Sequence, residues 1–148
     1  MPLNTALVGK SYDVVDYTIE RDAVNRFVDA IGEEDPIYRD AEAAKAAGFR
    51  DLVAPPMFCV VYSGPALGPA ILDPEVGINL PAMVHGGQEF EWGEPVCAGD
   101  VITTTARCKE IYEQDGRGFY VFESVSTNQV GEETVRATWT DIVRGVSA

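Results

Sequence analysis

The stretch that decides the fold is Pro56-Met-Phe-Cys-Val-Val-Tyr-Ser63, a segment near the middle of the chain that is apolar almost throughout. Pro55 and Pro56 suit the start of a helix, where no N–H donor is needed, and Gly64-Pro65 suits its end. A helix that is apolar on every side must be buried all round. The sequence therefore predicts a short, fully buried central helix.

Two other helices are predicted before this segment. Apolar residues recur at helical spacing from Ala23 to Ile31, and Gly32 follows as a C-terminal stop. Asp40 is suited to cap a second, alanine-rich helix from Ala41 to Ala47, which ends at Gly48. After the central helix, the Pro- and Gly-rich residues 64–82 are predicted to form a long irregular loop.

The second half of the chain has the pattern of an antiparallel sheet. Gln88, Phe90 and Trp92 alternate with Glu89 and Glu91, as in a strand with one covered face. Further strand-like runs span roughly residues 101–111, 119–127 and 134–143, and an early strand is expected near residues 12–19. About five strands around one apolar helix predict an α+β hot-dog fold, with residues 1–148 as a single domain. Such a sheet leaves an open edge, so we expect a dimer.

Composition narrows the possible partners. The chain carries 24 acidic and 11 basic residues, a net charge of −13, which repels nucleic acid. Its three cysteines show no metal-ligand spacing, and we predict neither a metal nor a cofactor. The N-terminus has no signal-like pattern, and no run of about 18 apolar residues occurs. We therefore expect a soluble, cytoplasmic protein without a membrane partner.

Three segments carry a resemblance to a known family. They are Gly32-Glu-Glu-Asp-Pro-Ile-Tyr-Arg-Asp40, Val53-Ala-Pro-Pro-Met-Phe58 and Val84-His-Gly-Gly-Gln-Glu-Phe90. In this order and spacing they resemble the MaoC-like hydratase/dehydratase family. The likeness is to the fatty-acid-synthase-type dehydratase domain and to small subunits related to mycobacterial hydroxyacyl-thioester dehydratases. The resemblance implies a thioester of coenzyme A or of acyl carrier protein as the ligand.

The first segment departs from the family's catalytic motif. Catalytic members read Gly-Asp-x-Asn-Pro-Leu/Ile-His-x-Asp, and the resemblance implies that the Asp and the His activate water for addition to a 2-enoyl thioester. Here Glu33, Asp35 and Tyr38 stand in place of the Asp, the Asn and the His. Tyrosine, with an ordinary pKa near 10, is a poor base at neutral pH, and the longer Glu33 side chain displaces its carboxylate by about 1.5 Å.

Other candidate site residues lie in the second and third segments. His85 is the only histidine, and a hydrogen-bonding role at the strand start and a catalytic role both stay open for it. The N–H groups of Met57 and Phe58 are candidates to polarise a thioester carbonyl at the helix start. We predict Glu33, Tyr38 and His85 as catalytic candidates. The predicted substrate-binding residues are Asp35, Pro56, Met57, Phe58, Gly86 and Gln88.

The altered motif leads to three hypotheses. The first is an acyl-thioester-binding subunit of an (R)-specific 3-hydroxyacyl-thioester dehydratase or 2-enoyl-thioester hydratase, paired with a catalytic hot-dog subunit. The second is a self-sufficient homodimeric hydratase that uses Glu33 as its base. The third is an acyl-thioester-binding module without enzymatic activity. Acyl chain length and the choice between homodimer and heteromer stay open at this stage.

Overall fold

The computed structural model describes residues 2–146. It contains a five-stranded antiparallel sheet with the strand order β1-β3-β4-β5-β2. The strands are β1 Val15–Thr18, β2 Met83–Trp92, β3 Val101–Gln114, β4 Arg117–Thr127 and β5 Glu133–Arg144. Five strands were predicted, although β1 is shorter than expected. Asp115 and Gly116, both with positive φ, form the tight turn between β3 and β4.

The two early helices form where they were predicted. They are α1 Arg21–Ile31 and α2 Ala41–Ala46. Gly32 ends α1 in the left-handed conformation, with φ of 70°. The Asp40 carboxylate caps α2 by accepting a hydrogen bond of 2.9 Å from the Glu42 N–H. Local capping chemistry therefore places both helices correctly.

The central helix is longer and less regular than predicted. It runs through a 3₁₀ turn Pro56–Phe58, α3 Cys59–Ser63, a second 3₁₀ turn Gly64–Leu67 and α4 Gly68–Ile71. The α-helix ends at Ser63, directly before Gly64-Pro65 as predicted, but the chain continues in further helical turns that were not predicted. Pro65 and Pro69 each lie in the first turn of a new helical segment, where a missing N–H breaks no hydrogen bond. The predicted loop over residues 64–82 is thus helical in its first part.

The central helix is buried on one face only within this chain, which corrects the prediction of burial all round. Phe58 and Tyr62 face the sheet and are 1% and 2% exposed. Met57 is 46% exposed on the other side, and Val60 and Val61 are only partly buried. The sheet of one chain covers one side of the helix, so an apolar strip stays open. Among residues 2–146, no helix is long and apolar enough to cross a membrane.

Candidate active site

A largely apolar cavity of about 190 Å³ opens beside the start of the central helix. Three parts of the chain surround it: the 3₁₀ turn Pro36–Tyr38, the segment Val53–Pro56 and the segment that follows β2. The last of these contributes Gly93 to Val96, and Trp92 lines the cavity from the end of β2. Phe49, Tyr62 and Thr134 complete the lining. Residues nearly 100 positions apart in the sequence thus meet in one concave site, the usual setting for a small-molecule ligand.

Backbone hydrogen bonds hold the walls of the cavity together. The Ala54 N–H donates to the Val96 carbonyl at 2.8 Å, and the Val53 N–H donates to the Ile37 carbonyl at 3.1 Å. Across the mouth, the Trp92 indole N–H donates to the Pro56 carbonyl at 3.0 Å. These bonds link the two walls to the helix start, so the shape of the cavity depends on long-range pairing.

Tyr38 lies at the cavity, and the family resemblance implies a histidine in its place in catalytic members. Burial raises the pKa of its phenol, and the negative charges of Asp35 and Glu33 raise it further. At neutral pH the phenol therefore keeps its proton. Tyr38 is suited to donate a hydrogen bond to a ligand, but not to remove a proton from water.

The two carboxylates next to Tyr38 bind backbone groups of their own turn. Glu33 Oε1 accepts hydrogen bonds from the N–H groups of Glu34 and Asp35, at 2.9 and 3.1 Å. Asp35 Oδ1 accepts a hydrogen bond of 3.1 Å from the Ile37 N–H and so caps the 3₁₀ turn. Neither residue lines the cavity. In this arrangement both carboxylates stabilise the turn that carries Tyr38.

Of the three substrate-binding residues predicted at the start of the central helix, only one lies at the cavity. Pro56 lines the cavity, whereas Met57 and Phe58 do not. The Phe58 N–H donates to the Pro55 carbonyl at 2.8 Å, and its ring lies in the core, 5.3 Å from the ring of Phe27. Phe58 is therefore a core residue in this structure, and its N–H is not free for the predicted contact with a carbonyl.

His85 and Gly86 lie toward the opposite end of β2, and Gln88 lies near its middle. His85 precedes Trp92 by seven residues, which at the rise of an extended strand is about 23 Å. His85 Nδ1 lies 3.3 Å from Asp141 Oδ1, and the Gln88 side-chain amide donates to the Thr138 carbonyl at 3.1 Å. A Cβ on Gly86 would collide with the side chain of Ile142 on β5. Within one chain, these residues hold the edge of the sheet and are separate from the cavity.

Several residues of the site carried no sequence signal for binding. Tyr62 appeared only as an apolar helix residue, Thr134 as a strand residue and Trp92 as part of an alternating pattern. Only tertiary contact places them around one cavity. Among residues 2–146, no group of three or more His, Cys, Asp or Glu side chains is arranged to hold a metal ion.

Comparison with known proteins assigns the chain to a family. Residues 6–137 match the family model described as the FAS1-like dehydratase domain region. A UPF0336 protein of Streptomyces coelicolor is 38% identical over 144 residues, covering 97% of this chain and 95% of the relative.

Solved structures show the same fold. The HadBC (3R-hydroxyacyl-ACP dehydratase) complex of Mycobacterium tuberculosis has a TM-score of 0.78 at 24% identity, over 92% of this chain and 96% of that one. A MaoC-like dehydratase has a TM-score of 0.85 at 23% identity, over 95% of this chain and 43% of that one. The ChsH1-ChsH2 complex of M. tuberculosis has a TM-score of 0.75 at 20% identity, over 93% and 90%. These likenesses confirm the predicted α+β hot-dog fold.

Proposed function

The chain belongs to the family of FAS1-like dehydratase domain regions, and we propose that it is the acyl-thioester-binding subunit of a heteromeric enzyme. That enzyme would be an (R)-specific 3-hydroxyacyl-thioester dehydratase or a 2-enoyl-thioester hydratase. The observation that carries the proposal is an apolar cavity with a protonated phenol, Tyr38, where catalytic relatives have a base.

The chemistry explains why this cavity needs a partner. Hydration of an enoyl thioester requires a base that takes a proton from water and an acid that delivers one to carbon, both with pKa values near the working pH. Tyr38 keeps its proton, and the carboxylates of Glu33 and Asp35 are bound to backbone N–H groups. The cavity can hold an acyl group, and Glu94, the carboxylate among its described lining residues, is exposed to solvent at the mouth. The buried part of the cavity therefore supplies no base. A second subunit with an intact Asp and His would supply it.

The surface of the chain supports an assembly through β2. This strand lies at the end of the sheet and presents one unpaired side over its ten residues. Long open edges invite pairing with another chain. Beside this edge, Met57 and Trp92 are 46% and 49% exposed. The structurally similar HadBC and ChsH1-ChsH2 proteins were solved as complexes of two kinds of subunit, which supports a hot-dog partner here.

The charge of the β2 edge favours a partner of a different kind over a second copy of this chain. Glu89 and Glu91 are exposed on β2, and the whole chain has a net charge of −13. Antiparallel pairing of two identical β2 strands would bring these carboxylates into the same small region, and like charges across a strand pair are destabilising. A partner with basic or neutral residues at its edge avoids this repulsion.

Co-expression tests the proposed function. The genome would first be searched for an adjacent reading frame that encodes a hot-dog subunit with the intact Gly-Asp-x-Asn-Pro-x-His segment. The chain would then be produced alone and together with that subunit. We expect a stable complex that hydrates crotonyl-CoA or a longer enoyl-CoA, and no hydration by the chain alone. Replacing the partner's motif His should abolish turnover, whereas Glu33→Gln in this chain should leave most of it.

Two results would contradict the proposal. Turnover by the purified chain alone, abolished by Glu33→Gln, would show a self-sufficient hydratase. Saturable acyl-CoA binding without turnover in any combination would show a binding module without enzymatic activity.

A further inference from the structure

The cavity has a clear direction from its mouth to its inner end. Trp92, Glu94 and Pro95 are exposed and form the mouth. Tyr62 and Thr134 are each 2% exposed and form the inner end. An acyl group that enters past Trp92 therefore points its tail toward the hydroxyl groups of Tyr62 and Thr134.

These two hydroxyl groups make the inner end polar. The Tyr62 hydroxyl donates to Thr134 Oγ1 at 3.3 Å, and the Thr134 hydroxyl donates to the Ser126 carbonyl at 3.3 Å. The remainder of the lining is mostly apolar, with Val53, Val96 and proline rings along the walls. The cavity thus ends in a hydrogen-bonded pair that joins the central helix to β5.

The space behind this pair is already filled. Ser126 and Thr104 are fully buried on neighbouring strands, and their hydroxyl oxygens lie 2.7 Å apart. Phe58 packs beside Tyr62, with 6.4 Å between the ring centroids. A longer tail would have to displace the Tyr62 ring and separate its hydroxyl from Thr134. Leaving a buried hydroxyl unpaired weakens binding by roughly tenfold.

On the basis of the proposed function, we propose that Tyr62 and Thr134 close the acyl cavity and restrict this subunit to short-chain acyl thioesters. The cavity measures about 190 Å³. An apolar cavity of about 150 Å³ is large enough for a six-carbon ring. The available space therefore fits an acyl chain of about four to six carbons.

The test measures binding of butyryl-, hexanoyl-, octanoyl- and decanoyl-CoA by calorimetry, with the full chain alone and in its complex. We expect the two short chains to bind at least tenfold more tightly than decanoyl-CoA. Tyr62→Ala removes the ring and should move the preferred length toward octanoyl- or decanoyl-CoA. Tyr62→Phe keeps the packing and frees the ring from Thr134, so it should reduce the preference for short chains several-fold.

Tyr112→Phe and Tyr112→Ala are the matched controls, because Tyr112 is 38% exposed, stacks on Phe119 and lies outside the cavity. Both should leave the length profile unchanged. If the wild type binds decanoyl-CoA as tightly as butyryl-CoA, the inference fails while the proposed function stands. The inference also fails if the folded Tyr62→Ala variant binds the four acyl-CoAs with the same relative affinities as the wild type. If Tyr62→Ala does not fold, the same result for Tyr62→Phe would overturn it. If no acyl-CoA of any length binds, alone or in the complex, the proposed function itself fails.

Discussion

Asp141 is a carboxylate buried on β5, with the imidazole of His85 as its side-chain partner. Burial raises its pKa, and the contact with His85 opposes this only in part. The native state therefore binds the Asp141 proton more tightly than the unfolded state does. Stability therefore begins to fall when the pH rises above the pKa of an unfolded Asp, and it continues to fall up to the higher pKa of native Asp141. Above that value the native state holds a buried charge.

Asp141→Asn should for this reason stabilise the fold at pH 7. The amide keeps an acceptor for the His85 ring without the buried charge. We expect the Tm of the variant to exceed that of the wild type by a few degrees at pH 7, with the difference fading below about pH 4. Thermal unfolding across pH 3–8 measures this. Asp13→Asn, at an exposed aspartate, is the control, and a lower Tm for Asp141→Asn at pH 7 would contradict the prediction.

The pKa of Asp73 is shifted in the opposite direction from that of Asp141. It lies just after α4 and binds Lys10 Nζ at 2.7 Å and the Tyr12 hydroxyl at 2.8 Å. Hydrogen bonds from Lys10, from the backbone of Glu75 and from Tyr12 lower the pKa of Asp73 to about 2. Its contribution to stability is therefore present above the pKa of an unfolded Asp and is lost as the pH falls through the native value.

Asp73→Asn should lower the Tm at pH 7, because the charged partner of Lys10 is removed. The difference between variant and wild type should shrink as the pH falls from about 4 to 2, where the wild-type carboxylate also becomes neutral. The same pH series of thermal unfolding measures it. A Tm difference that stays constant down to pH 2 would rule out this linkage.

At the scale of secondary-structure elements, the end of β2 determines the mouth of the cavity. Gly93 follows β2, and its N–H donates to the Thr134 carbonyl at 2.9 Å. A Cβ at Gly93 would collide with the carbonyl oxygen of Glu133. Because this contact involves backbone, no side-chain movement relieves it. The approach of the chain to β5 thus requires glycine here.

Gly93→Ala should destabilise the fold by about 1–3 kcal/mol through overpacking, and it should weaken acyl-CoA binding because the cavity wall moves. Gly68→Ala is the matched control, since Gly68 lies in a helical turn with open space around its Cβ position. It should leave stability unchanged or raise it by up to about 1 kcal/mol. Urea unfolding measures both variants, and equal stabilities would contradict the assigned contact.

At the scale of the whole molecule, the open β2 edge and the acidic surface have opposite effects on self-association of the chain. The exposed apolar strip of the central helix favours association, whereas Glu89, Glu91 and the net charge of −13 oppose self-association. Salt screens charges at the surface and leaves apolar contacts in place. Self-association should therefore be weak at low ionic strength and stronger at high ionic strength.

Reversing the charge at the edge tests this balance. Glu89→Lys/Glu91→Lys should increase the homodimer fraction of the chain at low salt by removing like-charge repulsion across the edge. Asp13→Lys/Glu110→Lys changes the net charge equally at exposed positions outside β2 and should have a smaller effect. Sedimentation velocity at 20 and 500 mM salt measures the fractions. A tight wild-type homodimer at low salt would exclude the charge-based preference.

Local chemistry explains most of what was predictable. The glycine-containing turns and the caps at Gly32 and Asp40 depend on near neighbours, and the structure contains each of them. The period of two in β2 holds over residues 88–91 and breaks at Trp92, which is 49% exposed. The family resemblance drawn from three short segments is confirmed for the same reason, since each segment carries its own pattern. The hydrogen bond from the Asp35 N–H to the Glu33 carboxylate is also local. It was not predicted, because the departure from the family motif had led us to consider Glu33 as a catalytic candidate.

The sequence by itself thus determined the strands, the early helices and the family, and it pointed to Tyr38, which lines the cavity. Only the tertiary structure decided how far the central helix continues, which of its faces stays open, and that Tyr62, Trp92 and Thr134 surround one cavity with Tyr38. The physical reason is the range of the forces involved. Propensity and capping act within a turn, whereas a cavity exists only where distant segments pack against each other.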